Sequence, residues 1–367
     1  MDAGIDMSYD VYRKLAERLD QIPNGFASTD SGVELELLAK LFTPSEALIA
    51  SVMKLTPEDV PAIAERAGLE PDETGATLEG MLSRGLIRAH RSREGACSYG
   101  LIPFAVGIYE NQLTRMDVEM AELFERYYVE SNGGGFTSGE PALHRVIPVG
   151  RTVKQDLEIF PYEEAARILS RARSWGVRDC ICRVQRKLIG KECGHTIENC
   201  LVFAPVEGVF EQSEGTRVIT KEEALRILEE AASEGLVHSA MNQQDQLHYI
   251  CNCCTCSCGI MRGVAEFGIP TAVASSGFMV AVDSEKCVGC GACVDRCQFG
   301  ALSIADDCAR PDYARCVGCG SCVRVCPAEA LTMERRPGAD EKRPPSNFHD
   351  WLSRRAASRG LTMDDIT

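Results

Sequence analysis

The chain has 367 residues, 45% of them hydrophobic and 25% charged, with a formal net charge of −15. That length leaves room for several small domains with buried cores. The acidic balance disfavours nucleic acid and membrane surfaces and favours a basic partner. No apolar run approaches the roughly 18 residues a membrane helix needs. The opening Met1-Asp-Ala-Gly-Ile-Asp6 has no signal-peptide pattern, so a soluble cytoplasmic protein is expected.

Nineteen cysteines, an odd number gathered in tight groups, argue for metal ligation in a reducing compartment over a disulfide scaffold.

From the start, residues 9–23 read as an amphipathic helix: Tyr12, Leu15, Ala16 and Leu19 recur at helical spacing, and Pro23-Asn24-Gly25 stops it. A second helix is expected at about 33–42. Residues 44–100 carry the pattern of a winged helix. Thr43-Pro44-Ser45-Glu46 opens one helix and Thr56-Pro57-Glu58-Asp59 the next. A third runs from Glu73 to Arg84, and 85–90 with 98–101 form a two-stranded wing. Reading DNA would require Lys and Arg on the third helix. Asp72, Glu73 and Glu79 occupy it instead, and only the wing is basic, through Arg88, His90, Arg91 and Arg93. Protein docking or packing is the preferred role. Residues 102–130 are expected to be helical, with Ser131-Asn-Gly-Gly-Gly135 a flexible joint at a domain boundary. The glycines lack the lysine of a P-loop and the spacing of a dinucleotide fingerprint.

A strand-like 145–149 leads to a helix expected over 161–174. Asp179-Cys180-Ile-Cys182-Arg183, Cys193-Gly-His195 and Cys200 follow. A helix over 221–232 then precedes Cys251-Asn-Cys253-Cys254-Thr-Cys256-Ser-Cys258. Cysteine used as apolar filler would be scattered, so five within eight residues favour ligation. By thiolate count, Cys180, Cys182, Cys193 and Cys200 close one [4Fe-4S] cubane, and Cys251, Cys253, Cys254, Cys256 and Cys258 supply a second. Adjacent residues such as Cys253 and Cys254 point oppositely in extended chain, so mixed sets or a single middle cluster stay open. Zinc is the alternative metal in this domain, because thiolates accept both. His195 is expected to hydrogen-bond cluster sulfur or to lie on the surface. Cys97 and Cys308 read as lone structural thiols.

Residues 287–326 hold two copies of one motif. Cys287-x2-Cys290-x2-Cys293-x3-Cys297 is answered by Cys316-x2-Cys319-x2-Cys322-x3-Cys326-Pro327. This is the two-cluster ferredoxin spacing, in which three thiolates wrap one cubane and the fourth crosses to the other. Cys287, Cys290, Cys293 and Cys326 are therefore assigned to one cluster, and Cys316, Cys319, Cys322 and Cys297 to the other. The duplication continues past the ligands: Gly300-Ala-Leu-Ser303 matches Glu329-Ala-Leu-Thr332. Gln298 stands where the first copy would carry proline. Beyond it, 334–345 reads as a charged, proline-rich tether and 347–358 as a short helix with Phe348, Trp351 and Leu352 on one side.

Residues 287–326 resemble bacterial two-[4Fe-4S] ferredoxins. With the winged-helix-like start, Asp179-Cys-Ile-Cys-Arg183, Glu198-Asn-Cys-Leu201 and Ile250-Cys-Asn-Cys-Cys254, the chain resembles the dicluster-ferredoxin-domain iron–sulfur proteins of anaerobic microbes. That resemblance implies electron transfer in an anaerobe and names no substrate. The expected architecture is α+β: a helical and winged-helix-like module (1–130), a cysteine-rich iron–sulfur domain (136–275), a dicluster ferredoxin domain (276–334), and a tether with a short helix (335–367). The expected function is single-electron transfer along [4Fe-4S] clusters to or from a redox partner protein. An enzyme with a catalytic middle cluster, an accessory protein for another enzyme's cofactor and a redox-sensing DNA-binding regulator are the alternatives.

Overall fold

The computed structural model describes residues 6–92, 95–149, 160–339 and 341–366. Met1–Ile5 and Arg93, both used above, lie outside them. The chain divides into two compact units: 1–136 with 188–190 and 352–367, and 137–187 with 191–351. Helices and strands mix in an α+β arrangement.

In the first unit, α1 (Asp6–Gln21) buries the expected stripe of Tyr12, Leu15, Ala16 and Leu19. α2 (Val33–Leu41) follows. A reciprocal cap starts α3 (Pro44–Val52): Glu46 N–H donates to Thr43 Oγ1 at 3.4 Å, and Thr43 N–H to Glu46 Oε2 at 2.8 Å. Asp59 caps α4 (Val60–Ala67), and Pro71 begins α5 (Pro71–Ser83). β1 (Ile87–Arg91) and β2 (Cys97–Leu101) then pair antiparallel, Ile87 opposite Leu101.

The helix expected over 102–130 is only half present. Pro103 keeps Ile102 out of helical geometry and Gly107 breaks the chain again, so regular helix waits for the Asp117 cap of α6 (Val118–Glu130). The triple glycine, expected as a joint at a domain boundary, is a hydrogen-bonded turn just before the division between the two units after residue 136. Tyr127 OH donates to Gly134 O at 2.9 Å, and Gly134 N–H to Ser131 Oγ at 2.9 Å. Phe26, Phe104, Phe124 and Tyr127 build an aromatic core in this unit. The C-terminal residues join it through the buried Arg355, whose Nε donates to Pro23 O at 2.7 Å.

The second unit is built on a seven-stranded sheet in the order β6-β4-β5-β8-β7-β3-β9. Its strands are β3 (His144–Val146), β4 (Ser174–Asp179), β5 (Glu198–Ala204), β6 (Thr216–Ile219), β7 (Val237–Met241), β8 (Tyr249–Cys253) and β9 (Val273–Ala274). All pairs are antiparallel except β3 with β9. α7 (Ala165–Ser170) and α9 (Lys221–Glu234) pack Ile168, Leu169, Ile227 and Leu228 against Val177, Leu201 and Ile250 of the sheet. The expected 161–174 helix stops at Ser170 because Ser174 and Trp175 are drawn into β4, with Arg173 N–H already on Ala204 O at 2.8 Å. α8 (Ile181–Leu188) and α10 (Gly259–Ala265) follow cysteine-bearing turns.

The ferredoxin segment of this unit repeats its own pattern. β10 (Phe278–Val282) pairs with β13 (Leu331–Arg335), and β11 (Leu302–Ala305) pairs with β12 (Cys308–Pro311), α11 (Ala292–Arg296) standing in the first half. The first strand of one half thus closes on the last strand of the other. Phe278, Val280, Leu302, Leu331 and Met333 fill the space between. The start of the expected tether is anchored: Arg335 Nη1 lies 2.8 Å from the buried Glu163 carboxylate, and Arg336 Nη2 donates to Cys316 O at 2.8 Å. Farther along, Trp351 Nε1, buried, donates to Ala142 O at 3.0 Å. The helix expected over 347–358 spans Phe348–Ser358 and turns Trp351 and Leu352 inward on its own chain.

Candidate metal centres

In the ferredoxin segment the crossed strands gather the thiols into two cavities. Cys287, Cys290, Cys293 and Cys326 line one, with Ile304 and Leu331. Cys297, Cys316, Cys319 and Cys322 line the other, with Phe299 and Met333. These are the crossed sets named from the spacing. Backbone amides turn to the sulfurs in matched fashion: Ala301 N–H reaches Cys297 Sγ and Ala330 N–H reaches Cys326 Sγ, each at 3.3 Å. Such bonds stabilise thiolate and tune a cluster's potential. Gly289 and Gly318 sit at φ 64° and 71°, where a Cβ would lie 2.8 Å from Asp307 O and 2.2 Å from Phe278 O. Each motif loop therefore requires glycine between its first two cysteines.

In the middle domain the grouping differs from the one read off the sequence. Cys193 leaves its expected partners and joins Cys254 and Cys256, all three sulfurs lying within 4.8 Å of one another. Cys193 Sγ is 3.9 Å from Cys254 Sγ and 3.4 Å from Ser257 Oγ. Cys251, Cys253 and Cys258 join Cys180, Cys182 and Cys200 instead. Cys200 Sγ is 4.0 Å from Cys251 Sγ, and thiol contacts run from Cys251 through Cys253 and Cys258 to Cys182 and Cys180. Sheet register is the cause. Leu201 faces Ile250, which sets Cys200 beside Cys251, and Cys253 lies two residues on, on the same face. Cys254 is past the strand's end and turns away.

Both groups surround Arg183, a residue whose place beside the thiols no local spacing announces. Its guanidinium is buried, donating to Asn199 Oδ1 at 2.8 Å, Thr196 O at 2.9 Å and Asn252 O at 2.8 Å. The Cys254 pKa is lowered to about 4, first by a hydrogen bond from the Cys256 thiol and then by the charge of Arg183. Hydrogen bonds from Cys251 and Cys258 lower that of Cys253 to about 6. Beneath them, Asn252 Nδ2 donates to Asn199 O at 2.6 Å, while Asn252 Oδ1 meets His238 Nδ1 at 2.6 Å. This buried network fixes the floor of the site. His195 stands at the edge, Nδ1 3.5 Å from Glu234 Oε2. Cys97, half-buried, and Cys308, buried, belong to neither group, though Cys308 lies against Cys287.

Gln298 ties the two regions together. Its Oε1 accepts Thr255 N–H at 2.8 Å, and its Nε2 donates to Gly235 O at 2.6 Å. Arg324 adds an ion pair to Glu229 at 2.8 Å. Proline at 298 could make neither side-chain bond, so the departure from the usual motif was the signal available in the sequence.

The segment has the crossed, duplicated fold and paired thiol cavities of a cluster-binding ferredoxin unit. A family model described as "4Fe-4S binding domain" matches it twice, at residues 280–303 and 309–332. No curated protein and no solved structure matches the chain. The chain thus carries a 4Fe-4S binding, ferredoxin-type domain with the capacity for iron–sulfur electron transfer. No helix among the described residues is long and apolar enough to cross a membrane.

Proposed function

We propose that this protein passes single electrons along a chain of metal clusters, between the two ferredoxin cubanes and the middle-domain thiols, to or from a partner redox enzyme. One observation carries the reading: the bridge from Gln298 to Thr255. Gln298 follows a cluster cysteine, and Thr255 separates Cys254 from Cys256. Covalent reach through that bridge puts the Cα atoms of Cys297 and Cys254 within about 15 Å of each other. The ligands are cysteine thiolates, and the clusters supply one-electron chemistry when bound. The protein's part is to space them, supply amide bonds to sulfur and offset their charge with Arg183. Each oxidised cubane with four thiolates adds about −2 to an already acidic surface, which favours a partner that docks through basic residues.

The test is anaerobic purification with iron and sulfide quantitation and potentiometric EPR. At least two reducible [4Fe-4S] signals per chain are expected, with spin–spin broadening on full reduction. A protein with no reducible cluster overturns the proposal.

The α3–α5 and β1–β2 arrangement supports a winged-helix-like module used for protein docking. α5 carries Asp72 and Glu73 in its first turn. Arg88, exposed on the wing, donates one guanidinium N–H to Leu55 O.

A further inference from the structure

We infer that Cys193, Cys254 and Cys256 hold a single thiophilic divalent ion, with Zn2+ as the reference, in place of a second middle-domain cubane. Sulfur spacing carries the inference. Four thiolates about 2.3 Å from one tetrahedral zinc lie about 3.8 Å from each other. Cys193 and Cys254 are 3.9 Å apart, and the three sulfurs all fall within 4.8 Å. A cubane interposes four irons and four sulfides, and so holds its thiolates farther apart. Among the described residues no other three Cys, His, Asp or Glu side chains bring their donor atoms so close. The six-thiol group has one pair as close, Cys200 and Cys251 at 4.0 Å, but no three sulfurs gathered to one point in this way.

Local chemistry agrees. Cys254-Thr-Cys256 is a short hook that presents both sulfurs to the Cys193 thiol, and His195, two residues after Cys193, lies outside the three-sulfur group but near enough for its charge to act on Cys254. His195 is the side chain for the fourth position. Its Nδ1 faces Glu234, itself held by Thr196 N–H at 3.1 Å, which leaves Nε2 for the metal. Three thiolates on a divalent ion carry a net −1, and Arg183 stands beside Cys254 to offset it. The six thiols of Cys180, Cys182, Cys200, Cys251, Cys253 and Cys258 remain for a cubane. The site lies next to the Gln298 contact, so the ion would brace the loop that meets the ferredoxin segment.

This deepens the electron-transfer reading without sharing its fate, because the ferredoxin clusters would be reducible whichever metal the trio holds. The test is metal analysis of full-length, anaerobically purified protein. About one zinc per chain, or one mononuclear iron, is expected beside the cluster iron. Cys193→Ser and Cys256→Ser should each lose that ion while the ferredoxin EPR signals stay unchanged. His195→Ala should retain it with affinity weakened about 10-fold, and unchanged affinity would remove His195 from the fourth position. If a serine variant fails to fold, the wild-type protein is titrated with an organomercurial in the presence of a chelating dye. Release of one ion as three thiols are blocked supports the site. Loss of about four irons from Cys256→Ser, with no zinc in the wild type, marks a cubane and overturns the inference. So does a wild-type protein whose three thiols hold no metal.

Discussion

Gln298 Oε1 takes the backbone N–H of Thr255 at 2.8 Å while its Nε2 donates to Gly235 O at 2.6 Å. One side chain thus satisfies two main-chain groups of the middle domain from the residue after Cys297. Gln298→Ala leaves both unpaired, and such losses cost about 1–3 kcal/mol each when buried. Urea denaturation of anaerobic protein should show a midpoint lowered accordingly. Rapid-freeze EPR after mixing with a ferredoxin-directed reductant should show slower reduction of the middle-domain centre. Unchanged kinetics would mean that electrons do not cross at this contact.

The bridge also shows what a sequence can and cannot disclose. The ferredoxin sets are legible because their ligands lie two or three residues apart and the fold follows from a local repeat. The middle-domain partition was not, because it depends on a non-local register that sets Cys200 of β5 beside Cys251 of β8. No local pattern announces that pairing. Most of the seven-stranded sheet escaped for a related reason: strands such as Glu198–Ala204 begin with polar residues whose partners are remote. The Thr43 cap made α3 plain, whereas α4 begins only at the Asp59 cap, past the Thr56-Pro57 start its sequence suggests, and Pro103 and Gly107 outweigh the apolar run around them.

Acid should weaken the second unit through His144. It is buried between Ser239 Oγ at 3.3 Å and Tyr249 OH at 2.8 Å, and burial lowers its pKa to about 3. An unfolded histidine titrates near 6.5, so between these values the unfolded chain binds the extra proton. The stability contributed is complete above about pH 6.5 and drains away as pH falls toward 3. At pH 5 the loss is about 2 kcal/mol. His144→Gln should flatten the pH dependence of the denaturation midpoint between pH 7 and 5. An equal slope in both proteins would place the acid sensitivity elsewhere.

The module of α3–α5 and β1–β2, proposed above as winged-helix-like, should not hold duplex DNA. Phosphate contacts supply most non-specific affinity, and α5 presents Asp72 and Glu73 at its start while Glu79 accepts the Tyr99 hydroxyl. Fluorescence anisotropy with labelled duplex is expected to show no submicromolar binding by the full-length protein at 50–200 mM salt, a range over which genuine phosphate contacts weaken by orders of magnitude. Salt-sensitive submicromolar binding would restore the regulator reading.

Crossed ligation makes a sharper prediction. β10 closes on β13 with Val282 opposite Leu331, so the last strand of the second half flanks the first strand of the first. Cys326, four residues before Ala330, is thereby carried into the cavity of Cys287, Cys290 and Cys293, and Cys297 into that of Cys316, Cys319 and Cys322. The amides of Ala330 and Ala301 seal each crossing at 3.3 Å. Cys297→Ser should therefore shift or abolish the EPR signal of the cluster held by Cys316, Cys319 and Cys322. Cys326→Ser should do the same to its neighbour. Serine is a poorer ligand of nearly the same size, so packing is kept and only coordination changes. If Cys297→Ser altered the Cys287–Cys293 cluster alone, each motif would hold its own cubane and the shared architecture would need another explanation.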